Sequence, residues 1–573
     1  MKTLDIIKEL LPCGTDGRNF EEKDGRWAPS DINYALCPVW PPDIFAVAGT
    51  IIERSGCYTE AGPTSANVAC HGDYLEEVKR IVDAWIADPN SLFEVPPDVQ
   101  TLWSFVMVQN STRDLSEICS DQSLLKSLLK LFALADEACR GMGWDSNLGT
   151  NVFADMALAT LVNDAAVQNT VPLLPYLPFS LCALVSPKAA VVMPKTLTAT
   201  VGCTIRSLSH HLALLPGIHQ CRASWALTNE AEDSTYKPIR LLVIPFPFRL
   251  PASSFRTSQE PIHLSGGTFS AAFFELQQDW LVHDGKALSA QQIFKCLVEP
   301  LVVKANKISS TPVTGVIFPE CALSDSIATE LASKVARLGV SFLTTGILRK
   351  DEVANKTRNV AKTFVLGRGP SSLHLEQFKH HRWRLDRSQC EQYGLDFHFS
   401  SKADKWWEDI DVSSRNLPFF ALRRHMSMTV LICEDLARSD PAMSVVRAVG
   451  PNLVIALLMD GPQLNQRWPG KYATVLGEDP GSGVLSVTCI AMLDRSNSNW
   501  SGPTKRTVAL WRSEGSAGSE IDLPRDHHGV VLEINSRLVE QHTLDARPDA
   551  FGTRKLSLRR AESLKLDSVP KWL

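Results

Sequence analysis

Two kinds of hydrophobic spacing divide the chain. Up to about residue 230, apolar positions recur three and four residues apart. The stretch from Tyr74 to Ile86 sets Leu75, Val78, Ile81, Val82 and Trp85 on one helical face, and Leu124 to Ala138 repeats the pattern with Leu124, Leu128, Leu131 and Leu134. Both are expected to be amphipathic helices, as is Asp155 to Val162. Met1 to Leu11 also reads as an amphipathic helix; its acidic residues and lack of a long apolar run argue against a signal peptide. Pro, Gly and Trp punctuate residues 13–72, where turns and irregular packing are expected. No internal repeat or low-complexity tract interrupts the chain.

From Ile239 the spacing changes. Arg240 to Phe248 opens as a continuous apolar run, the pattern of a strand buried on both faces. Further strands are expected at Thr314–Glu320, Val340–Gly346, Asn359–Leu366, Leu373–Lys379, Phe419–Leu422, Met428–Ile432, Asn452–Met459, Gly483–Leu493 and Val508–Trp511, with Gly529–Ile534 closing the sheet. Helices are expected at Leu288–Glu299, stopped by Pro300, at Leu323–Leu338, and at Pro441–Val449 with Asp440 as N-cap. Gly367 to Pro370 reads as a turn. Many strands and few helices imply two packed sheets with helices outside. The expected organisation is a mostly α-helical domain over 1–235, an α/β domain over 236–550 and a tail over 551–573. The first boundary is placed in the polar, acidic stretch Thr228–Pro238.

Composition bounds the function. At 573 residues the chain holds several domains; its 44% apolar and 21% charged residues are those of a globular protein. A formal net charge of −5 gives no reason to expect nucleic acid or an anionic membrane as partner. The most apolar region, Val171 to Val185, is short and broken by prolines, so no membrane span is expected. The 14 cysteines are dilute, with no CxxC pair and no zinc spacing, which fits reduced thiols in a cytoplasmic protein without a metal. His210 and His211 are adjacent, a spacing unsuited to a shared ligand.

The chemistry sits at three strand ends. Glu320, Lys379 and Cys433 each terminate an expected strand, 59 and 54 residues apart. Taken alone, Cys433 reads as a packed thiol, because free cysteine is among the most buried residue types. Glu320 and Lys379 alone read as solvated surface charges. If the three strands end on one edge, the carboxylate can take the thiol proton. The ammonium then lies where negative charge develops on an attacked carbonyl or nitrile.

Those residues carry a resemblance. Phe318-Pro-Glu320, Phe378-Lys-His380 and Ile432-Cys-Glu-Asp435 are similar, in order and spacing, to the motifs of the nitrilase superfamily of carbon–nitrogen hydrolases. The last is especially similar to the Cys-Glu-Asp-Leu run in the glutamine-amidase domain of glutamine-dependent NAD synthetases. Thr357 to Ala361 and Ala442 to Met459 resemble flanking segments of the family. The resemblance covers residues 239–550 and implies an αββα sandwich and a thioester mechanism. Cys433 would be nucleophile, Glu320 general base and acid, Lys379 stabiliser of the tetrahedral intermediate, and the backbone N–H of Glu434 a helper. No cofactor is implied. The family's second glutamate fits Glu391, twelve residues after the lysine, with Asp386 and Glu408 as alternatives. Asp460-Gly461-Pro-Gln463 departs from the family's usual Asn-Pro-Ser and would line the substrate pocket.

The leading expectation is a hydrolase of an amide-like small molecule. The family's habit implies a homo-oligomer, and the amino-terminal region offers a site for a protein partner. The alternative, from a different class, is a diverged scaffold or binding protein, for example within a multi-component bacterial defence system.

Overall fold

The computed structural model describes residues 1–15, 20–23, 26–29, 32–64, 68–144, 149–167, 176–177, 179–218, 220–227, 237–263, 270–351, 356–366, 373–395, 403–499, 502–549 and 552–573. Two large sheets dominate them. The first runs in the order Leu373–Phe378, Lys356–Val365, Phe342–Asp351, Gly315–Ile317, Ile239–Val243, Gly529–Val539, Thr553–Leu564. The second runs Ser519–Asp522, Thr507–Arg512, Gly483–Val487, Leu453–Leu457, Met426–Ile432, Asn416–Arg423, Arg222–Leu227, Tyr176–Leu177. The innermost strands of each are parallel and fully buried, which is why they read as continuous apolar runs.

The two-residue period of a strand then sorts side chains into layers. Met428, Val430 and Ile432 pack against Leu241, Val243 and Ile317 of the other sheet. Their neighbour Leu431 faces the opposite way, toward Val445, Val446 and Leu476 of helices Ser444–Val449 and Trp468–Glu478. In the first sheet Leu242 and Val316 face outward onto Leu301 and Leu331 of helices Glu299–Ile308 and Asp325–Ala336. Helices therefore cover both outer faces of a two-sheet sandwich.

The amino-terminal helices form as their periodicity predicts. Val68–Ala87 buries Val78, Ile81, Val82 and Trp85, and Gln122–Ala138 buries Leu124, Leu128, Leu131 and Leu134 behind an Asp121 N-cap that accepts from Ser123 and Leu124 N–H at 3.1 Å. Phe132 stacks on Phe45 of helix Pro41–Ser55 at 4.6 Å. These helices share one core with Leu417 and Phe419 of the second sheet.

The structure differs from the sequence reading in several places. Arg222–Leu227 precedes the expected boundary, yet pairs parallel with Asn416–Arg423 and extends the second sheet. Residues 228–236 of that boundary, and the turn expected at 367–370, lie outside the described residues. The expected carboxy-terminal tail contains Thr553–Leu564, which pairs along Gly529–Val539 and is the edge strand of the first sheet. Gly529–Val539 is thus interior, because its exposed ladder needs a partner. Pro300 does not stop its helix. A π turn, Phe294–Val298, leads into Glu299–Ile308, and Pro300 takes a first-turn place where no N–H is required. The strand at Gly483 ends at Val487, and Ile490–Ser498 is a helix. A small sheet went unread: Arg384–Asp386, Lys405–Glu408, Ser270–Leu276, Phe255–His263. No helix among the described residues is long and apolar enough to cross a membrane.

One buried arginine ties chain regions far apart in sequence. Arg547, 3% exposed, donates to Asp136 (3.0 Å) and Glu137 (2.7 Å) of helix Gln122–Ala138, to Asp545 (2.9 Å) and to the Leu208 carbonyl (2.5 Å). Removing one side of a buried ion cluster strands the other charges and costs about 3–5 kcal/mol. Arg547→Met is therefore expected to lower the unfolding free energy by about that amount in urea titrations, with no change at high salt beyond that of the wild type.

Candidate active site

The strand ends converge. Gly315–Ile317 runs into Phe318-Pro319-Glu320, Leu373–Phe378 ends one residue before Lys379, and Met426–Ile432 delivers Cys433. Lys379 Nζ donates to Glu320 Oε1 at 2.8 Å and to Glu408 Oε2 at 2.6 Å. All three side chains are buried, Lys379 at 1% exposure. Asn359 Nδ2 bridges the carboxylates, donating to Glu320 Oε1 at 2.8 Å and Glu408 Oε1 at 3.0 Å. Glu320 Oε2 is buried and has no hydrogen-bond partner among the described residues. That oxygen is free to take a proton.

The backbone is shaped to hold these groups. Cys433 opens a tight 3-10 turn, Cys433–Leu436, with φ of +45°, in the left-handed region that a side chain disfavours. The turn swings the thiol out of line with its strand. Behind Glu320, Gly346 packs so closely that a Cβ there would lie 2.5 Å from the Glu320 Cα and 2.4 Å from the Cys321 N. Only glycine lets strand Phe342–Asp351 support the glutamate at that distance. Asp435, two residues after Cys433, accepts the N–H of both His380 and His381 at 3.1 Å. It thereby fastens the turn after the thiol to the turn after the lysine.

Electrostatics follow from burial. The Cys433 thiol is pushed well above its usual range by burial and by Glu320, against the pull of Lys379. Burial also raises the Glu320 carboxyl, with Lys379 opposing and Glu408 reinforcing. Burial works against the Lys379 ammonium, but Glu320, Glu408 and Cys433 outweigh it and hold its pKa well above normal. Burial and Glu320 thus favour the protonated thiol, while the two carboxylates favour the lysine cation. Among the described residues, no group of three His, Cys, Asp or Glu is placed to hold a metal ion.

A cavity of about 250 Å³ opens over Cys433. Trp383, Tyr393, Met459, Trp468 and Tyr472 form much of its wall. Glu434 and Asp460, both singled out in the sequence, also line it. Glu434 is paired with Arg438 at 2.5 Å. Gly461 is buried beside Ser496 and Arg467, where a Cβ would lie 2.9 Å from Ser496 Oγ. Asp460 accepts from Tyr393 Oη at 2.5 Å and from Arg467 Nη2 at 2.9 Å.

The second glutamate expected at Glu391 is elsewhere. Glu391 lies exposed on helix Arg387–Tyr393, whereas Glu408, one of the alternatives, occupies the place beside Lys379. Asp386 caps that helix, accepting from Gln389 N–H at 2.9 Å. Twelve residues of spacing pointed to Glu391, whereas the antiparallel pairing of Lys405–Glu408 with Arg384–Asp386 brings Glu408 beside Lys379. The signal that was present is Lys405-Trp-Trp-Glu408, a short alternating run whose Trp406 and Glu408 are buried. Asn359, Tyr393 and Arg467 were not singled out either, being single polar residues in apolar surroundings.

No family model matches the chain, and no curated protein matches it. Among solved structures it is similar to Saccharomyces cerevisiae Nit3, a member of branch 10 of the nitrilase superfamily, at 11% identity over 50% of this chain and 90% of that one, with a TM-score of 0.28. It is also similar to XC1258 from Xanthomonas campestris, a CN-hydrolase superfamily protein with an arsenic adduct in its active site, at 13% identity over 58% of this chain and 91% of that one, TM-score 0.25. The C. elegans NitFhit protein matches at 13% identity over 50% of this chain and 56% of its own, TM-score 0.24.

The positive φ at Cys433 has a measurable consequence. Left-handed backbone costs a non-glycine residue about 1–2 kcal/mol, a penalty glycine escapes. Cys433→Gly is expected to be more stable than Cys433→Ala by about 1 kcal/mol in chemical denaturation, the reverse of the order in ordinary strand or helix positions.

Proposed function

We propose that the chain is a thiol-dependent hydrolase of a non-peptide carbon–nitrogen bond, an amide or a close relative. The observation that carries the reading is the buried Lys379 held by Glu320 and Glu408 beside a thiol in a left-handed turn, under a cavity. Lone structural cysteines have no need of a carboxylate with an unpartnered oxygen and a paired cation.

In this mechanism the amide carbon approaches Cys433 from the cavity. Glu320 takes the thiol proton as sulfur bonds to carbon. The oxyanion that forms is stabilised by the Lys379 ammonium and by the backbone N–H of Glu434. Glu320 then passes its proton to the nitrogen, the C–N bond breaks, and ammonia or an amine leaves. The thioester remains. Water, deprotonated by Glu320, attacks the same carbon; the C–S bond breaks and the acid departs with the thiol restored. Glu408 keeps Lys379 oriented, and Asn359 keeps the two carboxylates apart while satisfying one oxygen of each.

A panel of small amides offered to wild type and to Cys433→Ala tests the reading. Hydrolysis that depends on Cys433 is expected; hydrolysis undiminished in Cys433→Ala sinks it. Glu320→Gln is expected to lower kcat by roughly a hundredfold to ten-thousandfold. Glu408→Gln should lower kcat/KM strongly, whereas Glu391→Gln, out on the surface, should stay within about twofold of wild type. The pH profile follows from Glu320. The base works only when ionised, so kcat/KM is lost as pH falls through its pKa, and burial sets that midpoint above the ordinary 4.5.

A further inference from the structure

Strand Leu373–Phe378 is the edge of its sheet, so its outer main-chain groups have no strand to meet. Lys379 N–H turns inward and donates to the Asn359 carbonyl at 2.9 Å. The alternate residues Glu376, Phe378 and His380 turn outward, as the two-residue period requires. Side chains of the other sheet and of the turn after Cys433 meet them. Asn416 opens strand Asn416–Arg423; its Nδ2 donates to the Glu376 carbonyl at 2.5 Å, and its Oδ1 accepts the Phe378 N–H at 2.9 Å. The Asn416 carbonyl also accepts from His380 Nε2 at 2.9 Å. One step further on, Asp435 accepts the His380 N–H on both oxygens and the His381 N–H on Oδ1, all at 3.1 Å.

Two side chains thus continue the ladder that a neighbouring strand would supply, and they carry it into the turn that follows Lys379. A sheet edge is commonly protected by exposed charges, proline or a bulge. This one uses a carboxylate at 0% exposure. Among the described residues no lysine or arginine pairs with Asp435; its side-chain donor is His381 Nδ1, at 3.1 Å. Burying an acid without such a partner costs free energy, and protecting the edge does not require it. Placement does. Asp435 lies two residues after Cys433 and grips the amides one and two residues after Lys379, so the link between thiol and ammonium runs through a few stiff backbone units. Neither Asn416 nor Asp435 lines the cavity over Cys433.

Resting on the hydrolase reading, we propose that Asn416 and Asp435 are positioning residues: together they stand in for a missing strand and hold Lys379, with Glu320 and Glu408 bound to it, at reacting distance from Cys433. They act through Lys379 and touch no substrate.

Inactivation of the full chain by chloroacetamide tests this without a known substrate. Sulfur bonds to the methylene carbon, chloride leaves, and peptide mass spectrometry follows Cys433 alone among the 14 cysteines. Saturation separates KI, which reports entry to the cavity, from kinact, which reports the thiol with its base and cation. Asp435→Ala removes the acceptor and is expected to lower kinact about a hundredfold, the effect of a misplacement of about 1 Å, with KI within about twofold. Asp435→Asn keeps an oxygen for the amides and should recover kinact to within about tenfold of wild type. Asn416→Ala should lower kinact about tenfold, again at constant KI. A purely structural role would loosen the turn, expose the thiol and speed its alkylation. Should Asp435→Ala lose the wild-type near-ultraviolet circular dichroism, Asn416→Ala decides alone. Wild-type or faster kinact in the alanine variants, a rise in KI alone, or Asp435→Asn no better than a folded Asp435→Ala overturns the proposal. Failure of the hydrolase reading is seen separately, as amide hydrolysis that does not depend on Cys433.

Discussion

A buried ammonium between two buried carboxylates is the constraint on which this site depends. Lys379 cannot sit at 1% exposure without partners, and Glu320 and Glu408 cannot sit beside each other without a cation. Each group is tolerable only because the other two are in place. Their geometry in turn requires that strand ends from Gly315–Ile317, Leu373–Phe378 and Lys405–Glu408 arrive at one point. Asn359, from the neighbouring strand Lys356–Val365, completes the cluster by donating to both acids. Burial and the neighbouring Glu320 favour the protonated Cys433 thiol, against the pull of Lys379.

The sandwich supplies the rigidity. Cys433 follows a strand of one sheet, and Glu320 and Lys379 follow strands of the other, so their relative placement is set across the interface between the sheets. Apolar packing there sets the spacing. Two local devices finish the placement: Gly346 lets backbone pack directly against Glu320, and the left-handed turn at Cys433 redirects the thiol. Asp435 joins the two sheets at the site itself by gripping the His380 and His381 amides. The left-handed backbone at Cys433 is held by the turn and by Asp435.

The amino-terminal region is part of the same packed body. Its helices cover the outer face of the second sheet, and its strand Arg222–Leu227 lengthens that sheet. Arg547 and the paired Arg206 and Asp479, at 2.7 Å, fasten it to segments that connect sandwich strands. Such buried links are costly to break and hold the helices in one orientation against the sheet that carries Cys433.

Much was legible from the chain alone because its signals are local. A 3.6-residue period marks Val68–Ala87 and Gln122–Ala138, apolar runs mark Leu241–Val243 and Leu453–Leu457, and the strand before Cys433 ends at Ile432 as expected, while those before Glu320 and Lys379 stop at Ile317 and Phe378. What depended on distant partners was not legible. Glu391 and Glu408 are the same residue type, and only the pairing of Lys405–Glu408 with Ser270–Leu276 selects the second. Arg222–Leu227 and Thr553–Leu564 became sheet strands because open ladders beside them needed hydrogen bonds. Asp460 stood out in sequence as an unusual loop residue, but the oxygen it keeps unpaired exists only because Tyr393 and Arg467, from other elements, take its neighbour. Sequence determines what each segment can be; the charges that must share a dry interior decide which of them meet.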